Sequence, residues 1–353
     1  MELTKLLLLL LSTFGFAWFA LPTLIKISTD GNFFDKPDHI RKVHVDAKPN
    51  IGGVAIFLSF LFGCILFLKA TAIEYSNFLL GATMIIFSMG VRDDFLGLSA
   101  YKKMGLQILA AILVVVFAEV RISSFYGLFG IFELNYWVSV PFSIFVIIVV
   151  TNAFNLIDGI DGLAASIGIV ITLTFGILFY DMEQLGWARI AVALCGALLG
   201  FIPFNFEPSK IFMGDTGAYI IGFIIAILSI EFIEFNKFNT ITNVDPFIKS
   251  SPAVGIGFLF VPLFDTLRAF IIRISQGKSP LFADRQHLHH FLLDRGWSHS
   301  RIALFMAGMS LFFIVLCLLL QEIGSFYLIT LLVGIGVAIH IFITVSKKKM
   351  ENN

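Results

Sequence analysis

Five short segments hold most of the side chains in this chain that could carry acid–base, metal or phosphate chemistry. The first is DKPDHIRKVHVDAKPNIGG, Asp35 to Gly53, with Lys48 near its end. The second is the Asp93-Asp94 pair, followed by LSAYKKMGLQ with Lys103 and Gln107. The third, NAFNLIDGIDGLA, supplies Asn152, Asn155, Asp158 and Asp161. The fourth, NFEPSKIFMGDTG, supplies Asn205, Phe212, Gly214, Asp215 and Gly217. The fifth, SPLFADRQHLHH, supplies Arg285, His287, His289 and His290. Carboxylates converging on one site repel one another unless a cation sits among them. Hard oxygen ligands without cysteine point to Mg²⁺ or Mn²⁺ rather than zinc. The histidines are the competing zinc signal, but none has the i, i+4 spacing that puts two on one helical face. Beside Arg285 they suit phosphate binding or proton handling better. Gly159, Gly162, Gly214 and Gly217 would let backbone N–H groups approach a ligand, and helix starts after them would favour negative charge. Together these groups describe a site for a polyphosphate.

Each segment also has a bland reading. An Asp before a helix is usually an N-cap, and Asp215-Thr216-Gly217 fits that. Asn-x-x-Asn could bond between helices, Asp93-Asp94 beside Arg92 could be a solvated rim, and Phe212 is one of 41 phenylalanines. Four separate acidic clusters on one face are harder to explain that way, because ionisable groups at the ends of apolar spans are costly.

What must position these groups is a membrane bundle. Of 353 residues, 58% are hydrophobic and 14% charged, against roughly 25% charged in soluble domains. The mean hydropathy is +0.94. A soluble enzyme, a disordered chain and a nucleic-acid binder are excluded. About 20 apolar residues cross the hydrocarbon core, and the apolar runs predict an all-α polytopic protein forming a single domain. It has about eleven spans, or ten: 4–25, 51–69, 77–91, 104–120, 138–153, 163–180, 188–204, 217–234, 251–272, 302–320 and 325–346. Asp265 and Arg268 interrupt the 251–272 span. The first run could pass for a signal peptide, but the topology needs it as a span.

With the N-terminus outside, the outer side holds Lys5, Lys69, Arg121, Arg189, Lys237 and Lys249, which leaves 18 of the 24 Lys and Arg inside. That asymmetry places the C-terminus, with Lys347-Lys348-Lys349 against anionic headgroups, and all five polar segments in the cytoplasm. Net charge is zero and says nothing of partners. Cys64, Cys195 and Cys317 lie far apart in apolar runs and read as packing residues. A transporter is the alternative of a different class, but such sites are expected near the midplane between inverted repeats, and no repeat is visible.

Over nearly its whole length the chain resembles the polyprenyl-phosphate N-acetylhexosamine-1-phosphate transferases, of which the phospho-N-acetylmuramoyl-pentapeptide transferases are a sister branch. The motifs PNIGG, DDFLGLSAYKKMGLQ, NAFNLIDGIDGLA, IFMGDTG and DRQHLHH occur in the family's order. The resemblance implies a Mg²⁺-dependent enzyme of the bacterial cytoplasmic (inner) membrane, with its active site facing the cytoplasm. It would move a sugar-1-phosphate from a UDP-N-acetylhexosamine to undecaprenyl phosphate, releasing UMP, as the first membrane step of a cell-surface polysaccharide. Asp215 then resembles the principal metal ligand and Asn155 its partner. Asp93 and Asp94 match the paired carboxylates that act on the lipid phosphate, and Asp158 and His290 join the catalytic group. Asp161, Asn205 and Phe212 match the uridine side. Lys48, Lys103, Arg285, His287 and His289 match the diphosphate and sugar clamp. Leu288 breaks the three-histidine run of the muramoyl-pentapeptide branch, which favours UDP-GlcNAc over UDP-GalNAc or UDP-MurNAc-pentapeptide. Membrane lipids are further partners, and a homodimer is left open.

Overall fold

The computed structural model describes residues 1–30, 48–68, 72–241, 248–279 and 286–351, with the side chains of 238–241 and 343–351 excepted. Arg285 and the stretch from Asp35 to Ala47 therefore lie outside the described residues. In chain order the helices begin with α1 (Glu2–Asp30), α2 (Gly52–Phe67), α3 (Ser76–Leu96) and α4 (Ala100–Ile112), which runs on into a π-helical turn at Leu113–Phe117. Then come α5 (Tyr136–Ile157), α6 (Leu163–Asp181), α7 (Leu185–Asn205) and α8 (Gly214–Ile241). The last third holds α9 (Ser251–Phe258), α10 (Phe260–Ser275), α11 (Leu288–Leu293), α12 (His299–Leu319) and α13 (Ser325–Glu351). Among the described residues the only β pairing is an isolated bridge between Ser124 and Glu133.

Eight of these helices are long and apolar enough to cross a membrane, and the α9–α10 pair makes a ninth if taken as one bent span. The other two expected spans correspond to α2, an apolar helix of 16 residues, and α3, whose last turn carries Arg92, Asp93 and Asp94. The expected straight span at 251–272 is instead broken, with a 76° bend at Leu259. Pro262 has no N–H to offer the carbonyl of Phe258 and its ring crowds that turn, so the helix changes direction there.

α8 is the buried axis of the bundle and packs against α2, α3, α5, α6, α7 and α9. Between helices in lipid, attraction comes from close packing rather than from water exclusion, so small residues at crossings matter. A Cβ on Gly53 would lie 2.2 Å from the backbone nitrogen of Gly217. Gly217, expected to admit a ligand, therefore admits α2 instead. That crossing fixes the start of α8 beside the 48–51 loop. Large apolar side chains such as Phe19, Leu66, Leu319 and Phe342 face outward, as a lipid-facing belt requires. The three cysteines are buried, in keeping with a packing role.

Candidate active site

Four helix ends converge at one end of the bundle. The last turn of α3 brings Asp93 and Asp94, α4 brings Lys103, the last turns of α5 bring Asn152 and Asn155, and α8 starts with Gly214-Asp215-Thr216. Asp94 caps α8. Its Oδ1 accepts from the Asp215 backbone N–H at 2.8 Å and from Asn50 Nδ2 at 3.1 Å. Its Oδ2 accepts from the Thr216 N–H at 3.0 Å and the Thr216 hydroxyl at 2.5 Å. A carboxylate at a helix N-terminus satisfies orphan donors and complements the helix dipole. The cap expected of Asp215 is thus supplied across the fold by Asp94, and the Asp215 side chain is left to face the site. Asn155 donates to Asp215 Oδ1 at 2.8 Å. The ammonium of Lys103 pairs with Asp93 and lies 3.3 Å from Asp215 Oδ2. Lys103 thus stands between the two carboxylates of this acidic cluster.

Beside this cluster opens a polar cavity of about 400 Å³, lined by Asn50, Asn155, the Asp158–Asp161 turn, Asn205, Phe212–Asp215 and His299. That volume is within the range of small-molecule sites. Lys48 donates to the Ser209 hydroxyl at 2.8 Å, stands 5.3 Å from the Phe212 ring centre and 3.7 Å from Asp161 Oδ2. Burial works against the charge of Asp161, but His299, Ser209 and Lys48 outweigh it and hold the carboxyl below its usual range. Asn205 is engaged at both ends: its oxygen accepts from the Gly162 N–H at 2.9 Å and its nitrogen donates to the Ile211 carbonyl at 3.0 Å. It ties two walls of the cavity together. Phe212 lines the cavity, where an exposed ring face suits stacking.

A second cavity, of about 600 Å³, runs from Asn155, Asp158 and Gly159 along Phe145, Ile148 and Val149 of α5 and Phe270 of α10. Its polar end carries Arg273, His287, His289 and His290. Asp265 anchors this end. Its Oδ2 lies 2.9 Å from His287 Nδ1, and its Oδ1 accepts from the Leu288 N–H at 2.8 Å and from Arg268 at 3.3 Å. The other nitrogen of His287 is 3.4 Å from the Arg273 guanidinium. Both His287 nitrogens thus face protein groups, and His287 braces α11 against α10. His289 differs. It is 1% exposed, and neither ring nitrogen has a hydrogen-bond partner. Burial pushes its pKa down to about 3, so it is neutral. Its ring packs on Gly159, where an added Cβ would lie 2.2 Å from Nε2, so only glycine fits. His290 packs close by, its ring tilted 53° to that of His289 with centres 4.1 Å apart.

Asp158 stands where the two cavities meet. Burial, reinforced by the charges of Asp215, Asp94 and Asp161, pushes its carboxyl up to about 8. Among the described residues no three His, Cys, Asp or Glu side chains form a ready-made metal cage. The donor set is nevertheless two carboxylates, Asp93 and Asp215, with an amide, Asn155. That fits a hard cation of the Mg²⁺ type, which takes one or two protein carboxylates and completes its shell with water and phosphate. Asn50, Thr216, Ser209, Asp265, Arg273 and His299 were not foreseen as parts of the site. Asn50, Ser209 and Thr216 nevertheless lie inside the motif segments, and Asp265 interrupts an apolar run, whereas Arg273 and His299 stand outside every motif.

The chain is thus a polytopic helical bundle with an acidic, polar pocket at its helix ends and a largely apolar groove beside it. Residues 76–233 match the glycosyl transferase family 4 model. The chain is 35% identical over 283 residues to the decaprenyl-phosphate N-acetylglucosaminephosphotransferase of Mycobacterium leprae, covering 75% of this chain and 71% of that one. It is 34% identical over 291 residues to the probable undecaprenyl-phosphate N-acetylglucosaminyl 1-phosphate transferase of Bacillus subtilis, covering 81% and 77%. It is 28% identical over 299 residues to the undecaprenyl-phosphate alpha-N-acetylglucosaminyl 1-phosphate transferase of Escherichia coli K12, covering 82% and 77%. The chain belongs to glycosyl transferase family 4.

Proposed function

We propose that this protein transfers N-acetylglucosamine-1-phosphate from UDP-GlcNAc to undecaprenyl phosphate, yielding undecaprenyl-diphosphate-GlcNAc and UMP, at the cytoplasmic face of a bacterial inner membrane. The observation that carries this reading is the shared wall of the two cavities, Asn155, Asp158 and Gly159. One cavity has the polarity of a nucleotide diphosphate, and the other has the polarity of a lipid with an anionic head. A reaction joining their contents must occur at that wall. The names carried by the relatives support N-acetylglucosamine-1-phosphate as the transferred group and a polyprenyl phosphate as the acceptor.

On this reading an oxygen of the lipid phosphate attacks the sugar-bearing β-phosphorus of the donor, and the bond to the UMP oxygen breaks. One pyrophosphate linkage replaces another, so positioning and charge compensation must supply the catalysis. A phosphomonoester has its second pKa near about 6, so the nucleophile needs orientation more than deprotonation. Asp93, balanced by Lys103, would orient it. His289 and His290, with Arg273, would receive the lipid phosphate at the polar end of the groove. Phe212 and Asp161 would hold the uridine. Mg²⁺, held by Asp215 with Asn155 and Asp93, would supply the positive charge that the diphosphate requires.

The test uses purified protein with undecaprenyl phosphate, Mg²⁺ and UDP-GlcNAc labelled in the sugar and at the β-phosphate. Both labels should enter the lipid extract with stoichiometric UMP, and UDP-GalNAc and UDP-MurNAc-pentapeptide should compete poorly. Release of UDP would mean transfer of sugar alone and would sink the mechanism. Asp215→Asn should lower turnover by about a hundred- to a thousandfold, the scale seen when a preorganised electrostatic group is removed.

A further inference from the structure

The first residues of α12 reach into the polar cavity although they belong to none of the motifs that mark it. His299, the first residue of that helix, lines the cavity opposite the α8 start. Its Nδ1 lies 3.4 Å from the Asp161 backbone nitrogen and 3.5 Å from Asp161 Oδ2. The next residue, Ser300, donates its backbone N–H to Glu207 Oε2 at 3.0 Å. Glu207 belongs to the α7–α8 loop that carries Ser209 and Phe212. Two adjacent residues of α12 therefore grip both walls of the cavity, the Asp158–Gly162 turn and the 206–213 loop. Ser298 holds the helix start in place by accepting from the Arg301 N–H.

We propose that His299 is a positioning residue for uridine-nucleotide recognition, acting through Asp161. This rests on the reading of the polar cavity as the site of the UDP-sugar. The ring meets Asp161 by one nitrogen in either protonation state. Protonated, Nδ1 donates to the carboxylate; neutral, it accepts from the backbone N–H. Lys48 approaches the same carboxylate oxygen, Oδ2, from the other side. The carboxylate is thereby held between the Lys48 ammonium and the His299 ring and stays ionised as an acceptor. An ionised acceptor matches the imide N–H of uracil and mismatches the unprotonated ring nitrogen that cytosine offers at the same place. His299 thus fixes the orientation of the residue that reads the base, and contributes nothing to the transfer step.

Because every contact uses Nδ1, an Asn side chain, whose amide sits at the same distance from the backbone, can replace it. A Gln side chain, which mimics Nε2, cannot. The experiment measures UMP and CMP binding to the purified proteins in detergent by calorimetry, together with KM and kcat for UDP-GlcNAc. A lost hydrogen bond to a charged group should weaken UMP binding and raise KM by roughly tenfold in His299→Ala and His299→Gln. Expected alongside are a kcat within about twofold of wild type, restoration by His299→Asn, and a reduced preference for UMP over CMP in the Ala variant. Unchanged UMP affinity and KM in His299→Ala would overturn the proposal, as would an equal loss in the Ala, Gln and Asn variants, or a loss confined to kcat. A wild-type protein that binds neither UMP nor UDP-GlcNAc would overturn both the proposal and the functional reading beneath it, a result distinguishable because it precedes any variant.

Discussion

Asp158 and Asp161 are three residues apart on one turn, yet their surroundings push them in opposite directions. Asp161 has Lys48 and His299 to hold it ionised, whereas Asp158 has burial and three like charges around it, which push its carboxyl up to about 8. The consequence for stability has a definite sign. In the unfolded chain this acid ionises near about 4, so between there and about 8 the folded state holds a proton that the unfolded state has released. The contribution is full below the lower value and is lost as pH rises through the upper one, by at most about 1.4 kcal/mol per pH unit. In metal-free buffer, thermal unfolding of wild type should therefore lose ground to Asp158→Asn between pH 5 and pH 8. Parallel pH profiles for the two proteins would refute the shift. The carboxylates themselves were legible in the sequence, because acids beside apolar runs stand out. Their division of labour was not legible: that Asp94 caps α8 while Asp215 faces the site depends on which helix end each one meets, and spacing along the chain does not encode that. His299 left no trace, because a Ser-His pair at a helix start looks like ordinary capping.

Among the elements, the broken helix matters most. The bend at Leu259 swings α10 so that Asp265, Arg268 and Arg273 meet α11, and α11 is thereby laid over Gly159. The sequence shows an apolar run with two charges in its second half, which a straight span cannot explain and a bent one can. Pro262 was the available signal, since it marks the turn whose hydrogen bond is missing. Removing the carboxylate by Asp265→Ala takes away the partner of His287, of the Leu288 N–H and of buried Arg268 at once. Breaking a buried ionic network of this kind costs on the order of 3 kcal/mol. A clear drop in the unfolding temperature in detergent should follow. Faster proteolysis should accompany it in the segment before α12, since α11 would lose its anchor to α10. Wild-type melting and proteolysis would show that α11 is held by other contacts.

At the scale of the whole molecule, charge sidedness and fold make a joint prediction about topology. The start of α4 and the start of α5 lie at opposite ends of the bundle, with Tyr101 and Trp137 both exposed there. All three native cysteines are buried, so a single introduced thiol reports against a quiet background. A membrane-impermeant maleimide should label Trp137→Cys in intact spheroplasts and Tyr101→Cys only in inverted vesicles. The reverse pattern would turn the protein over and move the site to the outside. The wall common to both cavities has a kinetic corollary. On the proposed reading one chamber takes the nucleotide sugar and the other the lipid, so neither reactant needs to leave before the other arrives. Initial-rate plots should then show intersecting lines, the signature of a ternary complex, and parallel lines would point to a covalent relay on the protein. UMP should inhibit competitively against the nucleotide sugar but not against the lipid. On the proposed reading the two products would leave separately, the nucleotide into solvent and the loaded lipid sideways along the bilayer.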